Sequence, residues 1–215
     1  MKEIYTALHA AFEAASASDN EAAPAYAKLR DGIDWSATLR ATAPSSRPVV
    51  ERWFETACSG FCDGPMAALG RAVQANAEGL EWIAIYQAYE DDPTLAGFLD
   101  NYAILRLVGP HGPLVCEDMT VALTLQGPNT LYPPHAHKQE EVYGVLAGSA
   151  AWQRGAEPWV TREPEEIFLH PSGVRHATRT AGEPLLSLAC WTRDATLPIV
   201  FRSEEHTSEL QSHLN

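Results

Sequence analysis

The sequence has little cysteine, little positive charge and no long apolar run. Its 215 residues include 4 cysteines, and 28 acidic against 15 basic side chains give a formal net charge of -13 at pH 7. This acidic excess argues against nucleic acids and anionic membranes as partners, because neither is attracted to such a surface. No stretch approaches the ~18 to 20 consecutive apolar residues that a membrane-spanning helix needs.

The few cysteines predict a reducing compartment. Sparse cysteines in a chain of this length do not build a disulfide framework, so we expect a cytoplasmic protein. Cys58 and Cys62 are the one close pair, and we expect them to be two half-buried thiols on one helix face. Residues 1–20 imitate a signal peptide only faintly, since Glu3 and Glu13 interrupt the apolar stretch.

The first hundred residues carry helical patterns. Ile4, Leu8 and Phe12 belong to an apolar series with spacings of three and four, the period of an amphipathic helix. Residues 45–60 and 63–79 each offer a serine or aspartate cap, a proline near the start and a glycine at the end. Residues 80–100 are ambiguous. We therefore expect residues 1–100 to form a helical cap or dimerisation segment.

From about residue 101 the pattern changes. Short apolar and β-branched runs alternate with glycine and proline turns over residues 101–201, which predicts an antiparallel sandwich or barrel. The fold class expected is mainly β, with a helical segment in front. Residues 202–215 are polar with weak periodicity, and we expect a disordered or artefactual tail. Its histidines, His206 and His213, are left out of the candidate site.

Four potential metal ligands recur with strand spacing. His135 and His137 are two residues apart, so a strand would turn both toward one face. Glu141 keeps that parity and can reach the same point across a bend, while His176 opens a later strand after a turn. Three imidazoles and a carboxylate suit a divalent transition metal such as Zn, Fe, Mn, Co or Ni. The alternative is that these histidines only satisfy hydrogen bonds inside a small barrel.

These residues carry a family resemblance. Residues 135–148 (HAHKQEEVYGVLAG) resemble the first motif of the cupins, and residues 171–176 (PSGVRH) resemble the second. The sequence departs from the two cupin motifs at three positions, which belong to turns and not to metal ligands. Seven residues lie between Gly127 and His135 where five are usual, the second motif lacks its upstream glycine, and Thr180 stands where asparagine is common. The resemblance implies a jelly-roll β-barrel, which by itself does not fix a function.

Tyrosines on either side of the ligands narrow the resemblance. Tyr132 precedes the histidines in NTLYPPHAH, and Tyr143 follows Glu141 by two residues. This arrangement is similar to that of the cupin-type dimethylsulfoniopropionate (DMSP) lyases, most closely the Q type. The similarity extends over roughly residues 98–194, including FLDNYAILRLVGPHGPL.

The resemblance implies a chemistry and a role for each residue. DMSP is a small zwitterion, and β-elimination would release dimethyl sulfide and leave acrylate. The metal would be bound by His135, His137, Glu141, Tyr143 and His176, with Tyr143 displaced by substrate. Tyr132 is the candidate base, and Tyr132 and Trp191 are the candidate substrate contacts, with an aromatic wall for the sulfonium. For each aromatic side chain the alternative is simple packing in the barrel.

Other side chains near the motifs are given lesser roles. We expect His170 to lie at the rim or to be structural, and Arg175 and Arg179 to face solvent. Trp152 and Trp159 are weaker candidates for the aromatic wall than Trp191.

Two other functions stay open. One is a different metal-dependent cupin enzyme, a dioxygenase or an isomerase. The other is a small-ligand-binding cupin, although residues 1–100 lack the basic patch that a DNA-binding sensor usually carries. A homodimer is expected, since dimers are common among cupins.

Overall fold

Four of the five α-helices in the described part of the chain come first, and most of the strands follow the fifth. A computed structural model describes residues 1–86, 89–196 and 199–201. The helices are α1 (Lys2–Ser16), α2 (Ala23–Gly32), α3 (Pro48–Cys58), α4 (Pro65–Gln74) and α5 (Ala96–Leu99), with a short 3-10 turn at Ala77–Gly79. None of the helices among these residues has the length and apolarity to cross a membrane. The predicted tail, residues 202–215, lies outside the described residues.

The strands form two antiparallel sheets. They are β1 (Trp82–Ile83), β2 (Tyr102–Val108), β3 (Thr120–Gln126), β4 (Leu131–Ala136), β5 (Glu141–Ala147), β6 (Ala150–Arg154), β7 (Val160–Arg162), β8 (Ile167–His170), β9 (His176–Thr180), β10 (Leu185–Trp191) and β11 (Val200–Phe201). One sheet has the order β1-β2-β3-β10-β5-β8, and the other β11-β4-β9-β6-β7. The protein is mainly β, a barrel of two antiparallel sheets with a helical segment in front, as predicted.

The helices cover the outer face of the six-stranded sheet. The apolar series of α1, including Ile4, Leu8 and Phe12, is buried, as its spacing predicted. It shares one core with Leu105 and Leu107 of β2, whose side chains alternate away from the barrel interior. Because helices cover one face and the second sheet faces the other, β5 is buried along its whole length.

Within residues 80–100, which the sequence left ambiguous, β1 pairs with β2 and so adds a strand to the barrel sheet. Two predictions about α3 were wrong. No serine side chain caps α3, which begins after Arg47. Cys58 ends α3 and is buried, whereas Cys62 lies beyond the helix and is exposed, so the two thiols do not share a helix face.

Helix α4 is capped from a distant part of the chain. Asp63 does not cap it, and the residue before its first turn is Gly64. Instead the Glu165 carboxylate accepts hydrogen bonds from the backbone N–H groups of Met66 and Ala67, at 3.0 and 2.7 Å. A carboxylate at a helix N-terminus satisfies unpaired donors and complements the helix dipole. This contact fixes α4 to the loop before β8.

Gly148, which ends the first motif, occupies a position that only glycine fits well. Its φ is +74°, and a Cβ there would lie 2.1 Å from the carbonyl oxygen of Pro184. The left-handed backbone lets β5 turn into β6 beside the segment that leads into β10.

Candidate metal centre

Three histidine side chains converge inside the barrel. His135 lies on β4 and His176 on β9, opposite each other in the same sheet, and His137 follows the end of β4. They are 1%, 2% and 6% exposed. One ligand atom from each can be chosen such that all three lie within 4.8 Å of one another. This group could hold a metal ion.

Backbone carbonyls fix the tautomer of each ring. The Nδ1 atoms of His135, His137 and His176 lie 2.9, 3.1 and 3.0 Å from the carbonyl oxygens of Pro133, Gln139 and Val174. A carbonyl oxygen only accepts, so each Nδ1 carries the hydrogen and donates it. Every Nε2 is therefore left to face the centre, the arrangement typical of metal-binding histidines.

Glu141 reaches the same centre from the opposite sheet. Its Oε2 lies 3.1 Å from the Nε2 of His137 and 3.2 Å from that of His176. The His176 Nε2 is nevertheless buried and has no hydrogen-bond partner among the residues that the structure describes. A buried nitrogen with a free lone pair beside a carboxylate is the donor set that a divalent transition metal accepts.

The electrostatics of this group keep the Glu141 carboxylate ionised and shift the histidine pKa values in opposite directions. Burial acts to raise the pKa of Glu141, but His137 and His176 outweigh it and hold that pKa well below its usual range. For His137, burial acts to lower the pKa, and the Glu141 carboxylate reverses this and raises it. Burial and His176 hold the pKa of His135 well below its ordinary value. The site thus keeps an ionised carboxylate beside imidazoles.

The two motif loops are joined directly to each other. The Gly173 N–H donates to the carbonyl of His137 at 2.9 Å, and the Ser172 hydroxyl donates to that of Lys138 at 2.5 Å. Gly173 has a φ of +75°, which the turn before β9 requires. These bonds bring His176 beside His137 although the residues are far apart in sequence.

Thr180 holds the other end of β9 in place through two hydrogen bonds. Its hydroxyl donates to the Gly127 carbonyl at 2.6 Å and accepts from the Thr130 N–H at 3.0 Å. Threonine therefore ties the strand to the turn before β4 at the position where cupins commonly have asparagine.

A cavity of about 380 Å³ reaches Glu141, the carboxylate of this site, although the three histidines are not among its lining residues. Tyrosines, Glu141 and Trp191 line its inner part, and the turn at residues 109–112 lines another part. The Trp191 ring lies 5.1 Å from that of His137, and its Nε1–H donates to Glu141 Oε1 at 2.8 Å. Trp191 thus contacts both His137 and Glu141 and also lines the cavity.

Both predicted tyrosines are buried beside this group. Tyr132 stacks on His135 with ring centroids 4.1 Å apart, and its hydroxyl bonds to that of Tyr86. Tyr143 packs between Trp152 and Phe168 and also lines the cavity. Burial raises the pKa of each phenol well above its usual range, and the nearby Glu141 carboxylate raises that of Tyr143 further.

Comparison with known proteins identifies the family. The family model for dimethylsulfoniopropionate lyase matches residues 39–187, which is more than half of the chain. The chain belongs to the dimethylsulfoniopropionate lyase family.

Individual members of the lyase family agree with this assignment. The chain is 32% identical over 135 residues to dimethylsulfoniopropionate lyase DddQ of Ruegeria pomeroyi, and 30% identical over 131 residues to a putative DddL lyase of Cereibacter sphaeroides. These matches span 62% and 60% of this chain, and 66% and 53% of the relatives' lengths. The crystal structure of the R. pomeroyi DddQ matches with a TM-score of 0.73 and 27% identity, covering 92% of this chain and 95% of that one.

A second solved structure shares the fold. The structures of the DMSP lyases RdDddP and RnDddQII include a chain with a TM-score of 0.70 and 26% identity. It covers 93% of this chain and 98% of that chain. The arrangement of helices and sheets is therefore similar to that of these two solved lyase structures over most of the chain.

Two of the tyrosines that line the cavity were not identified from the sequence. Tyr86 and Tyr102 join Tyr132 in an aromatic cluster, with centroid distances of 6.1 and 5.0 Å from the Tyr132 ring. Tyr86 lies between β1 and α5 with a φ of +66°, where no motif points to it. Tyr102 could have been found, since strand parity places it on the same inner face as Ile104.

The secondary candidates have mixed outcomes. His170 is not at the rim, because it is 2% exposed and stacks on His176 at 4.4 Å. Arg179 is exposed and lies over the Trp159 ring, as a solvent-facing residue should, whereas Arg175 is only partly exposed. Trp152 packs against Tyr143, away from the cavity that Trp191 lines.

Proposed function

We propose that this protein cleaves DMSP by β-elimination to dimethyl sulfide and acrylate. The observation that carries the proposal is the group of buried Nε2 atoms beside a cavity lined with tyrosines. Membership of the lyase family and the names of its relatives support the choice of substrate. A cavity of about 380 Å³ has ample room for so small a zwitterion.

We assign one divalent transition metal to the histidine group. His135, His137 and His176 would hold it through Nε2, with Glu141 as a carboxylate ligand and Tyr143 as a ligand that substrate displaces. The donor set accepts Zn, Fe, Mn, Co or Ni. Such an ion supplies Lewis-acid chemistry at the substrate carboxylate and favours the phenolate form of a nearby tyrosine.

Tyr132 is the proposed base. Its oxygen takes the proton from the carbon next to the substrate carboxylate, and the electron pair of that C–H bond forms the new C=C bond. The C–S bond breaks, its electron pair leaves on sulfur, and the products are acrylate and dimethyl sulfide. Tyr132 has to be a phenolate to take this proton, and in that state its oxygen can accept a hydrogen bond from the Tyr86 hydroxyl, which contacts it.

Aromatic rings provide the surface for the sulfonium group. Trp191 is held in the wall of the cavity by its bond to Glu141, and Tyr102 lies nearby on the same inner surface. A cation over an aromatic face gains about 0.5 to 2 kcal/mol, more where water is excluded. The wall therefore holds the leaving group away from bulk water.

Product analysis tests the proposal. Purified protein loaded with metal is incubated with DMSP, dimethyl sulfide is measured in the headspace and acrylate by proton NMR. We expect both products in equal amounts and well above a control with metal alone. No product above that control with any of the five metals would exclude the function.

A further inference from the structure

A single arginine projects into the cavity from the wall of β2. The residues of β2 alternate, so that Tyr102, Ile104 and Arg106 line the cavity, while Leu105 and Leu107 are buried against the helices. Arg106 is only partly exposed. Among the described residues that line this cavity, it is the one side chain with a permanent positive charge.

The strand register places Arg106 in one cross-strand row with Tyr143, the proposed displaceable ligand. Arg106 pairs with Ala122, Ala122 with Ala189, and Ala189 with Tyr143. Three strand spacings separate the ends of this row, roughly 14 Å at 4.7–4.9 Å each. The two middle residues are alanines, so the sheet floor between the guanidinium and Tyr143 is left open. That floor forms part of the cavity.

Arg106 makes no hydrogen bond or ion pair with the part of the chain that the structure describes. Its anionic neighbour is Glu81, which precedes β1 and acts on the guanidinium as a nearby charge without forming an ion pair. Burial lowers the pKa of Arg106, but a guanidinium stays charged at neutral pH. A half-buried and unpaired guanidinium is poorly solvated, so it gains from binding an anion, and carboxylates fit its paired donors.

We propose that Arg106 forms an outer carboxylate subsite of this cavity. It would bind small monocarboxylates in the part of the cavity away from the histidine group. Under the proposed function, these are the substrate on entry and acrylate on release. In a chain with a net charge of -13, a fixed cation here draws a carboxylate past an acidic surface.

Binding measurements on the metal-loaded protein test the subsite. Acrylate and its neutral analogue acrylamide are titrated into wild type, Arg106→Met and Arg106→Lys, and calorimetry gives the dissociation constants. We expect Arg106→Met to weaken acrylate binding about tenfold, the loss of one charge-assisted contact. Arg106→Lys should restore most of that affinity, and acrylamide binding should not change.

Controls make the outcome decisive. Arg179→Met removes an exposed arginine outside the cavity and should leave acrylate affinity unchanged. Circular dichroism checks each fold, and Arg106→Gln replaces Arg106→Met if the latter is misfolded. Acrylate affinity that is the same in wild type and in the folded neutral variant would overturn the subsite.

The subsite and the proposed function can fail separately. If the protein releases no dimethyl sulfide but acrylate binding still depends on Arg106, the subsite stands and the lyase proposal falls. If dimethyl sulfide is released and the neutral variant matches wild type in both acrylate affinity and KM, the subsite falls and the lyase proposal stands.

Discussion

At the scale of single residues, backbone carbonyls determine what the histidines can do. Each Nδ1–H is used by a carbonyl two residues away in sequence, which leaves each Nε2 facing the centre. The sequence predicted which residues meet, because strand parity relates His135 to His137, and the bend after His137 lets Glu141 reach the same point from β5. It could not show the tautomers, since these depend on loop carbonyls whose directions follow only from the folded backbone.

The tyrosines give the first test at this scale. We expect Tyr132→Phe and Tyr143→Phe to keep the fold and to lower turnover about 10²- to 10⁴-fold, the usual contribution of a positioned acid–base group. Each change removes one hydroxyl and leaves the ring packing against His135 or Phe168 intact. Turnover is measured as dimethyl sulfide release, with Tyr5→Phe as a control far from the site. Rates equal to wild type would remove the phenols from the mechanism.

His170 gives a pH test. Burial and the neighbouring His176 lower the pKa of His170 to about 3. The unfolded chain protonates this ring below about pH 6.5 and the folded chain does not, so folded stability falls as pH drops from 6.5 toward 3.

Denaturant unfolding of metal-free protein measures this effect. His170 alone should lower the free energy of unfolding by about 2 kcal/mol between pH 7.5 and pH 5. In His170→Phe that part of the pH dependence should disappear, while the exposed His111→Asn should keep it. Identical pH dependence in wild type and His170→Phe would show that the buried ring is protonated in the folded state.

At the scale of elements, long-range contacts replace the local signals expected from sequence. The apolar spacing of α1 and the β5 motif were predictable, because each depends on residues close together in the chain. The cap at the N-terminus of α4 was not predictable, since its capping group, Glu165, lies about a hundred residues away in sequence. Tyr86 was missed for a similar reason, because it reaches the site through a backbone conformation that no pattern marks.

The Glu165 contact gives a test of this scale. Glu165→Ala leaves two N–H groups of α4 without their carboxylate, so we expect a loss of about 1 kcal/mol in the free energy of unfolding. Urea unfolding measures it. The matched control is Glu163→Ala, an exposed carboxylate in the same loop. Equal stability of the two variants would mean that the cap does not stabilise the helix.

At the scale of the whole molecule, the helices and the two sheets have different roles. The helices bury the outer face of the six-stranded sheet, and the inner faces of both sheets supply the ligands and the cavity. This division explains why the motifs alone predicted the barrel, whereas the cavity needed residues from segments without motifs. The cytoplasmic location and the homodimer stay predictions.

The most direct test of the account is a metal titration that follows activity. Metal-free protein receives increasing amounts of one divalent ion, and both bound metal and dimethyl sulfide release are measured on the same samples. We expect activity to rise until one ion is bound per chain, and His176→Ala to lose both tight binding and activity. Full activity without metal, or unchanged metal binding in His176→Ala, would contradict the account.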